Sequence, residues 1–391
     1  MDIRVCGLGI ISPLGAGGKE NLSSLLNSRC GINALTHFES SVGSPVGEVS
    51  LSNEELKSIL NINPKKTISR TSLLGIYAAN EAIQDAQIPK GKKVGLISST
   101  SVAGMDLSEN FYKEYLKDNN KGRLREIVGH DCASSTEAIA DYCKIEGFRT
   151  TISTACSSAA NAIIMGAQLL ECDMLDYVIV GGTDSLCQFT YNGFNSLMIL
   201  DKDLCTPLDQ NRKGLNLAEG AAYIVLSKDQ DSTKSYCKLL SYANANDAHH
   251  QTASSDDGEG AYLAMSKAMA KAQMPKIDYI NLHGTGTPNN DQSELAAIVR
   301  IFGNNIPFCS STKSYTGHTL AASGGIEAVF SILSLTENTA WPNLRFQTQI
   351  EPFNISPLTK VTKDKKLNVV MSNSFGFGGN CSSLIFSNLN E

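Results

Sequence analysis

The chain is short of charge, has no surplus of basic residues and contains no long apolar run. Charged residues make up 18% of 391, and Lys and Arg number 33 against 39 Asp and Glu, a formal net charge of −6. With no basic stripe to neutralise a phosphate backbone, nucleic-acid binding is disfavoured. No apolar run approaches the roughly 18 residues that cross a bilayer. The first residues lead into a short apolar run broken at Ser12-Pro13, unlike a secretory signal. No G-x-x-x-x-G-K-[S/T] loop and no G-x-S-x-G elbow occur, and Gly7-Leu8-Gly9 is followed by Ser12 where a dinucleotide fingerprint wants glycine. The 11 cysteines include no C-x-x-C pair, and His249-His250 lacks cysteines or carboxylates at zinc-ligand spacing. Neither a disulfide framework nor a metal site is expected; the cysteines read as reduced thiols in a cytoplasmic protein.

What is present is enough apolar material for a large core, at 42% of residues, and 32 glycines. Short β-rich runs alternate with helical patterns, as in an α/β layered fold. Strands are expected at Val94–Ile97, Thr150–Ser153, Tyr177–Val180, Ala222–Leu226, Tyr279–Leu282, Val369–Met371 and Leu384–Phe386. Continuous apolar runs of this kind suit strands buried on both faces. Ala160, Ile163, Ile164, Ala167 and Leu170 form a helical stripe, and Ile326, Val329, Phe330 and Leu333 repeat it. Similar Ser-Thr stretches precede both stripes, which suggests two duplicated halves, 1–230 and 231–391, meeting at the polar break Lys228–Ser232. The polar stretches 105–127 and 245–260 read as long loops with short helices, of the kind that cover active sites.

Four segments could carry chemistry. Cys156 stands where a β-pattern gives way to a helix, so the helix dipole and free backbone N–H groups should lower its pKa into roughly the 3.5–7.5 range of activated thiols. The plainer alternative is a buried structural cysteine. His283, in Asn281–Pro288 at a strand's C-terminal end, can act as donor or base between Gly284, Thr285, Gly286 and Thr287, or be a structural histidine in a glycine turn. Lys313 and His318 lie five apart after another strand, and could share a pocket or be a solvated lysine and a capping histidine. Asn373–Asn380 forms a glycine-rich turn whose amides could bind an anion or merely reverse the chain.

Together these segments resemble the elongating β-ketoacyl-acyl-carrier-protein synthases, condensing enzymes of the thiolase fold. The matching stretches are T-A-C-S-S-A at 154–159, H-G-T-G-T-P-x-x-D at 283–291, S-T-K-S-x-T-G-H at 311–318 and N-S-F-G-F-G-G at 373–379. G-L-G-I-I-S-P-L-G at 7–15 and P-L-D-x-x-R-x-G-L-N-L-A-E-G-A at 207–221 extend the likeness along the whole chain. The resemblance implies a layered α-β-α-β-α fold and decarboxylative condensation of an acyl chain on Cys156 with a malonyl group. Both substrates would ride on the phosphopantetheine arm of an acyl carrier protein, with no other cofactor and no metal. It implies catalytic roles for Cys156, His283, His318 and Lys313, and an oxyanion hole from the N–H groups of Cys156 and Phe377, with Phe377 also a gate. Thr285, Thr287, Val102 and Phe375 would contact substrate, and Glu327, Asp291 and Glu294 would support the site. Partners would be the carrier protein and a second subunit, either another copy or a chain-length factor, in fatty-acid or polyene/polyketide synthesis; membrane and nucleic acid are not expected. Many relatives have Thr-Asn after the last two glycines where this chain has Asn380-Cys381. A competing reading from another class is a non-catalytic chain-length-factor-like subunit, against which the presence of Cys156 speaks.

Overall fold

The computed structural model describes residues 2–228, 234–363 and 365–390. Among the described residues, ten strands follow one another across the main sheet. The first five are β1 (Arg4–Ser12), β2 (Val94–Ser99), β3 (Arg149–Ile152), β4 (Tyr177–Asp184) and β5 (Gly220–Ser227). The others are β6 (Cys237–Asn246), β7 (Tyr279–Asn281), β8 (Phe308–Ser310), β9 (Val369–Gly376) and β10 (Asn380–Ser387). The order β3-β2-β4-β5-β1 in the first run is repeated as β8-β7-β9-β10-β6 in the second. Directions repeat as well. The central strand of each run (β4, β9) pairs parallel with β2 or β7 and antiparallel with β5 or β10. The runs are joined at Arg4–Lys238 and Val5–Cys237. The expected junction falls on Asp229–Ser232, outside the described residues.

The main helices are α1 (Arg70–Ala86), α2 (Met105–Lys117), α3 (Cys132–Cys143), α4 (Ser158–Glu171) and α5 (Gln188–Ser196), then α6 (Glu259–Lys271), α7 (Pro288–Phe302) and α8 (Ser323–Thr336). Alternation along the strands assigns the layers, because successive side chains point to opposite faces. Val178 and Val180 of β4 and Val370 of β9 share one core with Ala160 and Ile163 of α4 and with Val329 and Phe330 of α8. The residues between them face outwards. Tyr177 and Ile179 pack with Leu73, Leu74 and Ala78 of α1, whereas Val369 and Met371 pack with Met265 of α6 and Ile298 of α7. The stack is therefore α1/α3, sheet, α4/α8, sheet, α6/α7, the expected α-β-α-β-α arrangement. The two middle helices are those whose apolar stripes were legible, since among the helices described they alone are covered by sheet on both sides; Ser323–Leu335 is buried throughout.

Two expectations need correction. Residues 105–117 are a regular helix rather than loop; α2 has no fully buried residue and leaves Tyr112, Tyr115 and Leu116 exposed, so its low apolar content hid an amphipathic period that the sequence does carry. The stretch 245–260 begins inside β6 and ends inside α6, leaving a loop only between Asn246 and Glu259. No helix among the described residues is long and apolar enough to cross a membrane.

Candidate active site

Cys156 occupies a tight turn between β3 and α4. Ala155 before it takes a left-handed φ of 52°, and Ser157 stands at the N-cap position without a side-chain capping bond. The neighbouring Gly376, at the end of β9, approaches so closely that a Cβ there would lie 2.8 Å from the Thr154 carbonyl oxygen and 3.2 Å from the Cys156 nitrogen. That approach brings the Phe377 amide close to the thiol, where it acts to lower the pKa. The backbone then reverses through Gly378 and Gly379, both at positive φ near 80°.

The thiol is buried, with 6% of Cys156 exposed. Burial pushes its pKa up to about 11, outweighing the Lys313 charge and the Phe377 amide, which act in the other direction. This overturns the expected lowered value. The helix proper starts two residues later, so the dipole contributes less than enclosure removes.

His318 sits on the other side of the sulfur, Nε2 to Sγ 3.1 Å. Its Nδ1 accepts a hydrogen bond from the Leu320 amide at 3.1 Å and lies 2.9 Å from Ser323 Oγ. An amide N–H can only donate, so in the neutral ring the proton resides on Nε2 and faces Cys156. His283 is arranged alike. Lys313 Nζ, which as an ammonium can only donate, lies 3.3 Å from His283 Nδ1 and 2.7 Å from the His283 carbonyl oxygen. That leaves Nε2–H of His283 as the free donor. The two rings meet edge to face, centroids 5.5 Å apart. Burial and the Lys313 charge hold both imidazoles well below their usual pKa, so both stay neutral at pH 7.

Beneath them Lys313 is ion-paired with Glu327, both side chains almost wholly buried. Burial pushes the Glu327 carboxyl up to about 7 despite the lysine. Helix α7 holds the histidine loop from behind. Glu294 accepts the amides of His283 (3.0 Å) and Gly284 (2.8 Å), and Asp291 accepts those of Gly286 (3.1 Å) and Leu208 (2.7 Å).

These groups face a cavity of about 230 Å³, lined by the thiol, both imidazoles, Phe375, Phe377, Thr285 and Thr287. Phe375 packs against His283 at 5.6 Å, and Phe377, partly exposed, stacks on Phe194 at 6.0 Å. The two threonine hydroxyls are 2.9 Å apart on the wall. Cys381 also lines the cavity, whereas Cys309 lies in the apolar core behind it. Val102 is not on this wall. It packs with Leu186, Tyr191 and Leu320 in an adjoining apolar cluster, pinned by its amide to Asp184 at 3.0 Å.

Family models for the β-ketoacyl synthase N-terminal and C-terminal domains match residues 1–232 and 236–347. The chain belongs to the β-ketoacyl synthase family. Its members are condensing enzymes of the acyltransferase type, and full-length relatives agree. A 3-oxoacyl-[acyl-carrier-protein] synthase 1 of Haemophilus influenzae is 32% identical over 99% of this chain and 98% of its own. A 3-oxoacyl-[acyl-carrier-protein] synthase 2 of Rhizobium meliloti is 30% identical over 98% of both. Among solved structures, a ketosynthase (ApeO) in complex with its chain length factor (ApeC) from Xenorhabdus doucetiae is 31% identical, with a TM-score of 0.85 and coverage of 99% and 98%. The ishigamide ketosynthase/chain length factor superposes with a TM-score of 0.93 at 24% identity, covering 99% of each chain, which shows the shared fold.

Two structural groups of this synthase were not anticipated. Asp184, fully buried at the end of β4, accepts hydrogen bonds from Thr100 Oγ1, the Ser101 and Val102 amides and the Ala321 amide. It thereby ties the Val102 segment to the turn after His318. A carboxylate ending an otherwise apolar run was the available signal. Glu219, within the quoted 207–221 stretch, is buried and binds Arg70 Nε at 2.8 Å and His37 Nε2 at 2.8 Å.

Proposed function

We propose that this chain is the catalytic subunit of a β-ketoacyl-acyl-carrier-protein synthase. The observation that carries the reading is the pair of neutral imidazoles, each with Nδ1 engaged and Nε2–H turned into the cavity beside a cysteine. Such a pair is built to donate to a developing oxyanion, not to take up protons.

In the first half-reaction the Cys156 sulfur attacks an acyl thioester on a carrier protein. The tetrahedral oxyanion accepts hydrogen bonds from the Cys156 and Phe377 amides, donors each worth about 2.7–4 kcal/mol in such sites. The carrier thiol leaves with the cysteine's proton. In the second, malonyl-carrier protein enters past Thr285 and Thr287, and carbon dioxide departs. His283 and His318 donate to the resulting thioester enolate; its carbon attacks the acyl-Cys156 carbonyl, and the sulfur is expelled. The product is a β-ketoacyl thioester longer by two carbons.

Lys313 keeps His283 in its donor tautomer, while Glu327, Asp291 and Glu294 hold Lys313 and the loop. Substrates need no carrier beyond the phosphopantetheine arm, and no metal takes part. We place the protein in the cytoplasm, as two halves (1–230 and 231–391), dimeric with a second copy or a chain-length-factor subunit. A chain-length-factor role for this chain itself is disfavoured by its complete Cys156, His283, Lys313 and His318 set.

The test is intact mass spectrometry after incubation with acyl-carrier protein. The native chain should gain the acyl mass at Cys156 and then form product with malonyl-carrier protein. Cys156→Ala should do neither while remaining folded; product formation by that variant would refute the reading.

A further inference from the structure

The two amides of the proposed oxyanion hole come from different halves of the chain, one from the turn before α4 and one from the turn after β9. Something must fix their separation. Backbone contact at Gly376 sets how closely the turns approach, but no hydrogen bond between these turns in the backbone network joins them directly. Side chains do. Asn380 begins β10, immediately after the Gly378-Gly379 reversal. Its Oδ1 accepts hydrogen bonds from Ser157 Oγ at 2.8 Å, Asn161 Nδ2 at 2.7 Å and Asn244 Nδ2 at 3.1 Å.

Two of the donors follow the cysteine, in its turn and in α4, and the third is on β6. Ser157 follows Cys156 directly, and its single hydroxyl proton is shared between Asn380 Oδ1 and the Thr154 carbonyl, each 2.8 Å away. Asn161, one turn into α4, donates to Thr154 Oγ1 at 2.8 Å. Its own Oδ1 accepts from Asn244 of β6 and Ser382 of β10, at 2.7 and 2.8 Å. One amide oxygen thus gathers the turn holding Cys156, the first turn of α4 and the strand next to β10. Three donors on one oxygen make a joint that an apolar side chain cannot reproduce, and losing it leaves several polar groups unmatched.

We propose that Asn380 is a positioning residue for acyl transfer, holding the Phe377 amide in register with the Cys156 amide through its Oδ1. It touches neither substrate nor the reacting sulfur. Its effect should fall on steps that build an oxyanion at the acyl-Cys156 carbon, and not on decarboxylation, which uses the two imidazoles on another wall. This inference rests on the proposed condensing function.

The experiment separates the two steps. Acyl loading of Cys156 is measured by intact mass with octanoyl-acyl-carrier protein, for the native chain, Asn380→Ala and Asn380→Asp. Decarboxylation is measured as carbon dioxide released from labelled malonyl-carrier protein, in a Cys156→Ala background with and without Asn380→Ala. Asn380→Ala should load at least tenfold more slowly, Asn380→Asp, which keeps the acceptor oxygen, should recover most of that loss, and decarboxylation should change less than twofold. Equal slowing of both steps, or no rescue by Asn380→Asp, would overturn the positioning role, as would unimpaired loading by Asn380→Ala. Failure of the native chain to load would instead defeat the condensing function itself.

Discussion

Replacing Lys313 by methionine should separate what this lysine does for the histidines from what it does for folding. Its ammonium donates to His283 Nδ1 and to the His283 carbonyl and pairs with Glu327. Without it nothing holds the His283 proton on Nε2, and once the proton sits on Nδ1 one of the two enolate donors is lost. One donor to a developing oxyanion is worth about 2.7–4 kcal/mol, so decarboxylation of malonyl-carrier protein should slow by about 10²–10³-fold. The folding effect has its own pH signature. Glu327 ionises near 4.5 in the unfolded chain and near 7 in the folded one, so ionisation of this group costs stability as pH rises from about 4.5 to 7. In Lys313→Met the charge that lowers the folded value is gone, and the window extends further upward. Each additional pKa unit costs about 1.4 kcal/mol once the carboxyl must ionise. Melting temperatures of native and variant proteins, compared at pH 5.5 and pH 8.5, should therefore diverge more at the higher pH. A variant that decarboxylates at the native rate, or whose melting deficit is the same at both pH values, would refute the assignment.

Other outcomes follow from the same geometry. Because burial holds the Cys156 thiol near 11, its alkylation by iodoacetamide, followed by peptide mapping, should speed up about tenfold per pH unit from 7 to 10; a plateau by pH 8 would contradict this. Glu219→Gln leaves the buried Arg70 guanidinium without its counter-charge and should lose about 3–5 kcal/mol in denaturant unfolding at pH 7. The native carboxyl, held down to about 2, gives stability that is present above pH 4.5 and lost as pH falls towards 2, so the gap to the variant should narrow in acid. Gly376→Ala would press a methyl group against the Thr154 carbonyl and the Cys156 nitrogen, costing about 1–3 kcal/mol and slowing acyl loading together; normal loading would show that the approach of the two turns is dispensable.

Much of this arrangement was readable before the fold was known, for identifiable reasons. The stripes of α4 and α8 are apolar on nearly all sides because sheets cover both helices, and such helices write their burial into composition. The reactive segments were legible because each follows a strand with small residues or glycine, where a backbone must turn sharply beside a ligand. Properties set by distant partners were not legible. The direction of the Cys156 shift depends on how completely both halves enclose the sulfur, and the histidine tautomers depend on Leu320 and on Lys313. Val102 is held by its amide to Asp184, 82 positions away, and its side chain packs in a cluster that shares Leu215, Phe194 and Ile199 with the cavity wall, a placement that no local pattern announces. Asn161, Asn244 and Asn380 carry no pattern of their own, since asparagine in sequence signals a turn as readily as a buried joint.

A raised cysteine pKa and two depressed histidines would be a poor design for a thiolate–imidazolium pair, in which the histidine must hold the proton. They suit a different division of labour. Protonating His318 would place a second cation beside Lys313 in a buried site, and the same lysine already disfavours it. A histidine kept neutral is always ready to donate from Nε2, which is what an enolate oxygen requires, and it needs no proton from solvent to reset. In the proposed reaction the resting thiol, its pKa raised by burial, reacts slowly with small electrophiles and attacks an acyl thioester once that carbonyl oxygen meets the Cys156 and Phe377 amides. Lys313 serves all three groups with one charge: it lowers both imidazoles, moderates the rise at Cys156 and fixes the His283 tautomer. Glu327 lies beneath the lysine and pairs with its Nζ, which fixes where that charge sits relative to the three groups.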